Sequence, residues 1–458
     1  MVFSSITFLY YFLPILLGIY FIVPSKFKNV VLLLFSLLFY FYGEPKYVFV
    51  LLFSCLINYL FGLILEKKKK KSLLVLAITI NLGLLVFFKY INFFTDNLNN
   101  LFGLNIPLLN LVMPIGISFF TFQTLSYVVD VYKKEVEADH HFLSFATYVC
   151  LFPQLVAGPI VRYKDVHKEL KDRRLSFPLF AEGVKRFIVG LGKKVIIANT
   201  IGQMIEVLLG LNNISILAYI VVALGYTIQI YFDFSGYSDM AIGLGKMFGF
   251  NFLENFNYPL ISSSITEFWR RWHISLSSFF RDYVYIPLGG NRVSKIKYYR
   301  NLLIVWLLTG FWHGASFNFI IWGLYFAFFL ILEKIFLKKI LDKHKIIGHF
   351  YTIILVIISF VIFNFEDLGK LGLFFKNLFG FGNIPFSNFE TIYYVKSYLV
   401  ILIISIIFST PIIKCLKSKI KKNKVIDIIE VIGYLAILII CTAFLIDASF
   451  NPFLYFRF

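Results

Sequence analysis

Charge is scarce in this sequence of 458 residues: 15% are Asp, Glu, Lys or Arg, against about 25% in an ordinary soluble domain. Cysteine is scarce too. Cys55, Cys150, Cys415 and Cys441 are scattered, with neither CxxC nor zinc spacing, so no disulfide scaffold, redox pair or metal site is indicated. No GxGxxG, P-loop, HExxH or GxSxG pattern falls where it would matter, which leaves an ATP-driven pump and a serine-nucleophile hydrolase without support. What fills the chain instead is apolar: 59% hydrophobic residues, including 57 Phe and 28 Tyr. A soluble fold could not cover that surface, and the excess comes in blocks long enough to cross a bilayer. Disorder and a cytosolic enzyme are excluded with it. The reading is an all-α, polytopic membrane protein.

Apolar segments fall at 6–23, 30–43, 47–65, 73–94, 111–132, 187–211, 214–232, 301–315, 317–332, 350–365, 395–413 and 425–446, giving eleven or twelve expected crossings. The segment 142–161 is apolar but holds Pro153, Gly158 and Pro159, and reads as a broken or re-entrant helix. The first positive charges, Lys26 and Lys28, follow the first apolar run, which favours an uncleaved span with its N-terminus outside. With the basic runs 67–71, 334–345 and 414–424 on the cytoplasmic side, both termini are expected to be extracytoplasmic. The net charge of +19 sits in such short loops. It reports membrane orientation rather than a nucleic-acid partner, although an anionic ligand at the same face stays open. No repeat period is visible, and the expectation is one membrane domain over 1–458 with its motif core at 233–323.

Ionisable residues inside such a chain are expensive, and they mark where chemistry is to be sought. His313 lies in Thr309-Gly310-Phe311-Trp312-His313-Gly314 at the junction of two apolar segments. It is either a histidine bridging packed helices or a general base. Gly310 and Gly314 either leave room for a substrate or permit close helix packing. His273 follows Trp269, Arg270, Arg271 and Trp272 and precedes Ser275, Arg281 and Asp282. That segment is either an amphipathic helix at the cytoplasmic edge or a basic mouth for a phosphate-bearing acyl donor. Asn291 and Arg292 close a Pro-Gly-Gly turn able to contact phosphate. Asp233 and Asp239 are expected in structural ion pairs, with Arg270 or Arg271 as partners. Gln123 and Gln229 are expected to hydrogen-bond between helices.

Residues 267–292, EFWRRWHISLSSFFRDYVYIPLGGNR, and 306–323, WLLTGFWHGASFNFIIWG, resemble the membrane-bound O-acyltransferase family. Within it, the opening MVFSSITFLYYFLPI, GEPKY at 43–47, FPQLVAGPIVR at 152–162 and the ending FNPFLYFRF resemble the alginate O-acetylation branch. The resemblance implies a multi-helix bundle with a funnel toward the active site, His313 as the catalytic histidine and His273 as a second histidine. It implies transfer of an acetyl group outward across the cell membrane from a cytoplasmic thioester, acetyl-CoA, without a bound cofactor. A separate extracytoplasmic SGNH-type acetyltransferase is the implied partner and a polysaccharide the implied acceptor. A composition rich in Ile, Lys, Phe and Asn directs that expectation to a cell-wall polysaccharide or exopolysaccharide. Two alternatives stand beside it: D-alanyl transfer in teichoic acid modification, and a transporter or flippase without chemistry. Transporters often show internal inverted repeats, and the two halves show no such symmetry.

Overall fold

The computed structural model describes residues 1–156, 158–420 and 423–447. The ending motif 450–458, and with it the C-terminus, lies outside them. Among the described residues every regular element is a helix. Eight of the described helices are long and apolar enough to cross a membrane, or nine if the pair Phe389–Ser397 and Leu399–Phe408, bent by 52°, is one span. The expected segments are all helical, but several are short of a crossing by length or composition. Residues 6–23 yield the 15-residue apolar stretch Phe8–Ile22, and 111–132 yields the 17-residue Ile117–Lys133, most of it buried, because Pro114 and Gly116 delay its start.

The chain divides into two compact units. One comprises residues 1–187 and 237–253. Polar side chains join its helices Val48–Lys67, Lys71–Leu85 and Ile117–Lys133. Asn58 Nδ2 donates to Asn81 Oδ1 at 3.0 Å, Asn81 Nδ2 donates back to Asn58 Oδ1 at 2.7 Å, and Thr124 Oγ1 donates to Asn81 Oδ1 at 3.0 Å. The second amide hydrogens go to the Ser54 and Ala77 carbonyls. Such bonds hold helices together where lipid supplies no hydrophobic drive. Cys55 and Cys150, distant in sequence, bring their buried thiols to 3.7 Å. The segment 142–161 is a broken helix as expected: Phe142–Cys150 stops at Leu151, and a short turn Phe152–Leu155 follows, all but the first two residues buried. At Gly158 a β-carbon would lie 2.6 Å from the Pro153 carbonyl, so only glycine lets the chain double back there.

The other unit comprises residues 188–236 and 254–458. Its helices relevant to function are α1 (Ile216–Met247, of which the part up to Gly236 belongs here), α2 (Ile265–Arg271), α3 (Ile274–Phe280), α4 (Lys295–His313), α5 (Phe317–Leu332), α6 (Lys338–Lys343) and α7 (Lys345–Asn364). The helix α1 runs 15 residues past the expected end at Phe232, to Met247. Its polar residues do not stop it because basic side chains answer them. Asp233 pairs with Lys194 at 2.6 Å and Asp239 with Arg186 at 2.8 Å. Both are ion pairs, as expected, but neither uses Arg270 or Arg271; Arg271 instead pairs with Glu267 one turn back on α2, at 3.0 Å.

The helices α4 and α5 form a tight hairpin. A β-carbon on Gly310 would lie 2.2 Å from the Phe319 carbonyl oxygen, and one on Gly323 would lie 2.3 Å from that of Trp306. At Gly314 it would lie 2.2 Å from the Phe319 ring. Gly310 and Gly314 therefore serve close packing, one of the two roles the sequence left open.

Candidate active site

The two histidines are reached by different local devices. His313 is the last residue of α4, where the chain turns through Gly314, Ala315 and Ser316 into α5. Its ring is enclosed by Trp312 at 5.0 Å, Trp322 at 5.0 Å and Phe363 at 5.1 Å, measured between ring centres. Asn318 fixes one wall: its side-chain amide donates to the carbonyls of Ile362 and Phe363, at 3.3 and 3.0 Å. Those carbonyls lie at the end of α7, where helix geometry leaves them without internal partners.

His273 sits between α2 and α3 in the left-handed region, at φ +42° and ψ +55°. A histidine is held there at a cost of order 1–3 kcal/mol unless its surroundings fix it. Asn255 does the fixing. Its carbonyl accepts from Ile274 N at 3.0 Å, and its Oδ1 accepts from Ser275 N and Ser275 Oγ at 3.2 and 2.9 Å. The ring packs against Phe234 of α1 at 4.7 Å and against Trp312 at 5.8 Å. One indole, Trp312, thus touches both imidazoles. His273 is fully buried in the stretch between spanning helices, and burial pushes its imidazole down to about 3. It is neutral at physiological pH.

All five tryptophans of the chain belong to this region. Trp269 meets Trp306 at 4.5 Å and Trp322 at 5.6 Å, while Trp272 stacks on Phe268 at 5.5 Å. Trp269 Nε1 and Trp322 Nε1 are both buried and donate to no described residue. An indole N–H left so in an apolar box is costly unless something uses it.

The remaining candidates lie nearer the surface. Arg281 is exposed and pairs with its neighbour Asp282 at 2.7 Å. With Trp269, Phe280 and Trp306 it lines a narrow groove of about 160 Å³. Asn291 and Arg292 are exposed on the turn after Tyr285, where Gly289 and Gly290 both hold positive φ. Asn301 pins that turn by donating to the carbonyls of Leu288 and Gly290 at 3.1 and 3.2 Å. The structure thus brings His273, His313, Trp269 and Trp312 into one aromatic enclosure and leaves Arg270, Arg281, Asn291 and Arg292 outside it. Trp322, Phe363, Asn255 and Asn318 were not singled out from sequence, since nothing distinguishes an enclosing ring or a bracing amide from ordinary core until the chain is folded. Gln123, expected to bridge helices, is buried with no described partner for either side-chain amide atom.

The architecture defines a class: a polytopic all-α membrane protein whose buried histidines lie in an aromatic enclosure. The sequence profile of the membrane-bound O-acyltransferase family matches residues 48–366, and the chain belongs to that family. It is an acyltransferase. It is 43% identical to the probable alginate O-acetylase of Pseudomonas aeruginosa, over 85% of this chain and 76% of that one. It is 33% identical to the peptidoglycan O-acetyltransferase of Helicobacter pylori over 100% of this chain and 98% of that one. It is also 33% identical to the teichoic acid D-alanyltransferase of Bacillus subtilis, over 55% of this chain and 67% of that one.

Proposed function

We propose that this protein moves an acetyl group from a cytoplasmic thioester, acetyl-CoA, outward across the cell membrane for O-acetylation of a cell-wall polysaccharide or exopolysaccharide. The observation that carries the reading is similarity along 85 to 100% of the chain to two proteins named for O-acetylation, against 55% for the D-alanyltransferase. Both termini lie outside the cell in this reading. A separate SGNH-type enzyme then completes transfer to the polymer.

The chemistry asks for a base, an oxyanion donor and shelter from water. His313, in its aromatic box, takes the proton of the acceptor hydroxyl as the oxygen attacks the thioester carbonyl. The C–S bond breaks, and the thiolate leaves with the proton returned through the imidazole. Trp322 Nε1 is the donor we assign to the developing oxyanion, since it is buried beside His313 and donates to no described residue. His273 is a neutral second histidine, whose turn presents Trp269 and Trp272 to the site and, with Ser275 and Trp312, shapes it. Arg270, Arg271, Arg281, Asp282, Asn291 and Arg292 form the donor-facing surface, and Asp233, through Lys194, holds α1 where Phe234 covers His273.

The test is acetate released by mild base from the surface polysaccharide of cells carrying wild type or His313→Ala, at matched membrane abundance. Loss of acetate with the protein still present supports the reading. Unchanged acetate removes His313 from the chemistry. Ester-linked D-alanine measured on the same samples shows whether the cargo is D-alanine instead.

A further inference from the structure

Beside the enclosure, on the opposite side of one helix turn, lies a chemically different cavity. Trp269 of α2 faces the aromatic groove, but the next residue, Arg270, lines a polar cavity of about 480 Å³, within the usual range for small-molecule pockets. Its other walls come from the loop before α2, from Lys338 and Asp342 of α6, and from Lys345 at the start of α7. The charges there are not equivalent. Arg271 is answered by Glu267 at 3.0 Å and Lys345 by Asp342 at 3.3 Å. Ser263 and Arg271 outweigh the effect of burial on Glu267 and hold its carboxyl below the usual range, so that partner stays charged. Arg270 and Lys338 have no carboxylate within ion-pair reach among the described residues.

The backbone amides that begin α2 are not available to a ligand. Glu333, buried at the end of α5, accepts from Ile265 N at 2.5 Å, Thr266 N at 2.9 Å and Thr266 Oγ1 at 2.6 Å. What the cavity offers is therefore two cations on different elements, with the neutral donors Asn257 and Ser264 beside them. That set matches phosphate oxygens carrying two or more charges.

We infer that the cavity between α2, α6 and the start of α7 binds a phosphate-bearing anion through Arg270 and Lys338. Two sources share that chemistry: the diphosphate of a soluble thioester donor, and the headgroup of an anionic lipid. Assignment to the donor rests on the acetyl-transfer reading; the anion site itself rests on the cavity.

Full-length protein in a neutral detergent is titrated with inorganic pyrophosphate and with CoA by thermophoresis. Phosphatidylglycerol retained through purification is counted by native mass spectrometry. Arg270→Gln and Lys338→Gln each weaken pyrophosphate binding about fivefold, as removal of one partly exposed charge contact does, and the double variant weakens it further. Lys339→Gln, on the same helix but outside the cavity, removes the same charge and leaves binding unchanged. If the two cavity variants instead lose phosphatidylglycerol alone, the site stands and its source is lipid. Equal weakening by Lys339→Gln, or acetate competing as well as pyrophosphate, overturns the site. Acetyl transfer that persists while pyrophosphate binding ignores both variants sinks this inference alone, whereas binding without acetyl transfer sinks only the proposed function.

Discussion

Two buried polar regions of this protein differ in how their donors are used. In Asn58, Asn81 and Thr124, every side-chain N–H and O–H has an acceptor within the cluster or on the adjoining helix turn. Around His313 the walls are indole and phenyl rings, and the N–H groups of Trp269 and Trp322 reach no described acceptor. A saturated cluster welds helices. In the enclosure the spare indole N–H groups are the donors on which the proposed acetyl transfer draws. Substitutions in the two regions should therefore fail in different ways.

The largest effect is expected at the enclosure. Trp322→Phe keeps the ring and removes the N–H, and should lower the turnover for acetyl transfer about 10²-fold or more, as loss of an oxyanion donor does. KM and membrane abundance should hardly change. A loss confined to KM would return Trp322 to the role of a wall.

In the saturated cluster the damage should be to folding. Asn81→Leu leaves Asn58 Oδ1 without its donor, while the Thr124 hydroxyl keeps the Phe120 carbonyl, and should cost about 1–3 kcal/mol, read as lower thermal stability in detergent and lower abundance. Activity per folded molecule should hold. The double substitution Asn58→Leu/Asn81→Leu should be milder than the single one, since it strands fewer groups. If it were worse, the amide pair would be contributing more than mutual satisfaction.

The smallest effect is a pH dependence. His273 has its imidazole pushed down to about 3 by burial, from an ordinary value near 6.5. A lowered folded-state value means the unfolded chain takes up the proton first. Its contribution to stability is thus fully present above about pH 6.5 and declines as pH falls toward 3. The melting temperature of wild type should fall below that pH more steeply than that of His273→Asn. Asparagine tolerates the left-handed backbone that His273 occupies, so the comparison isolates the ring. Parallel pH curves would remove His273 as the source.

The sequence made the fold class plain because apolar runs of spanning length have few other uses. It made His313 visible because an ionisable residue stands out at the end of such a run, and His273 because it follows a cluster of tryptophans and arginines. It misled on partners. Asp233 and Asp239 were matched to the arginines nearest in the motif, while the structure supplies Lys194 and Arg186 from the preceding helical segment, a pairing that only helix packing creates. It left Gly310 and Gly314 undecided, since a glycine opens space or closes it depending on what faces it; here Phe319 does. Trp322 and Glu333 were passed over because one sits in an apolar helix like any core residue and the other in a basic loop like any surface charge. Their roles come from His313, across the tight hairpin, and from the start of α2, which is distant in the chain.

The contact between Gly310 and Gly323 also bears on motion. Two helices whose backbones touch have no side-chain layer to slide or compress, so α4 and α5 move as one stiff body, carrying His313 and Trp322 with them. In the proposed reaction the base and the oxyanion donor would then keep their spacing from one turnover to the next. The turn at His273 joins that body through Trp312, whose indole packs on both imidazoles.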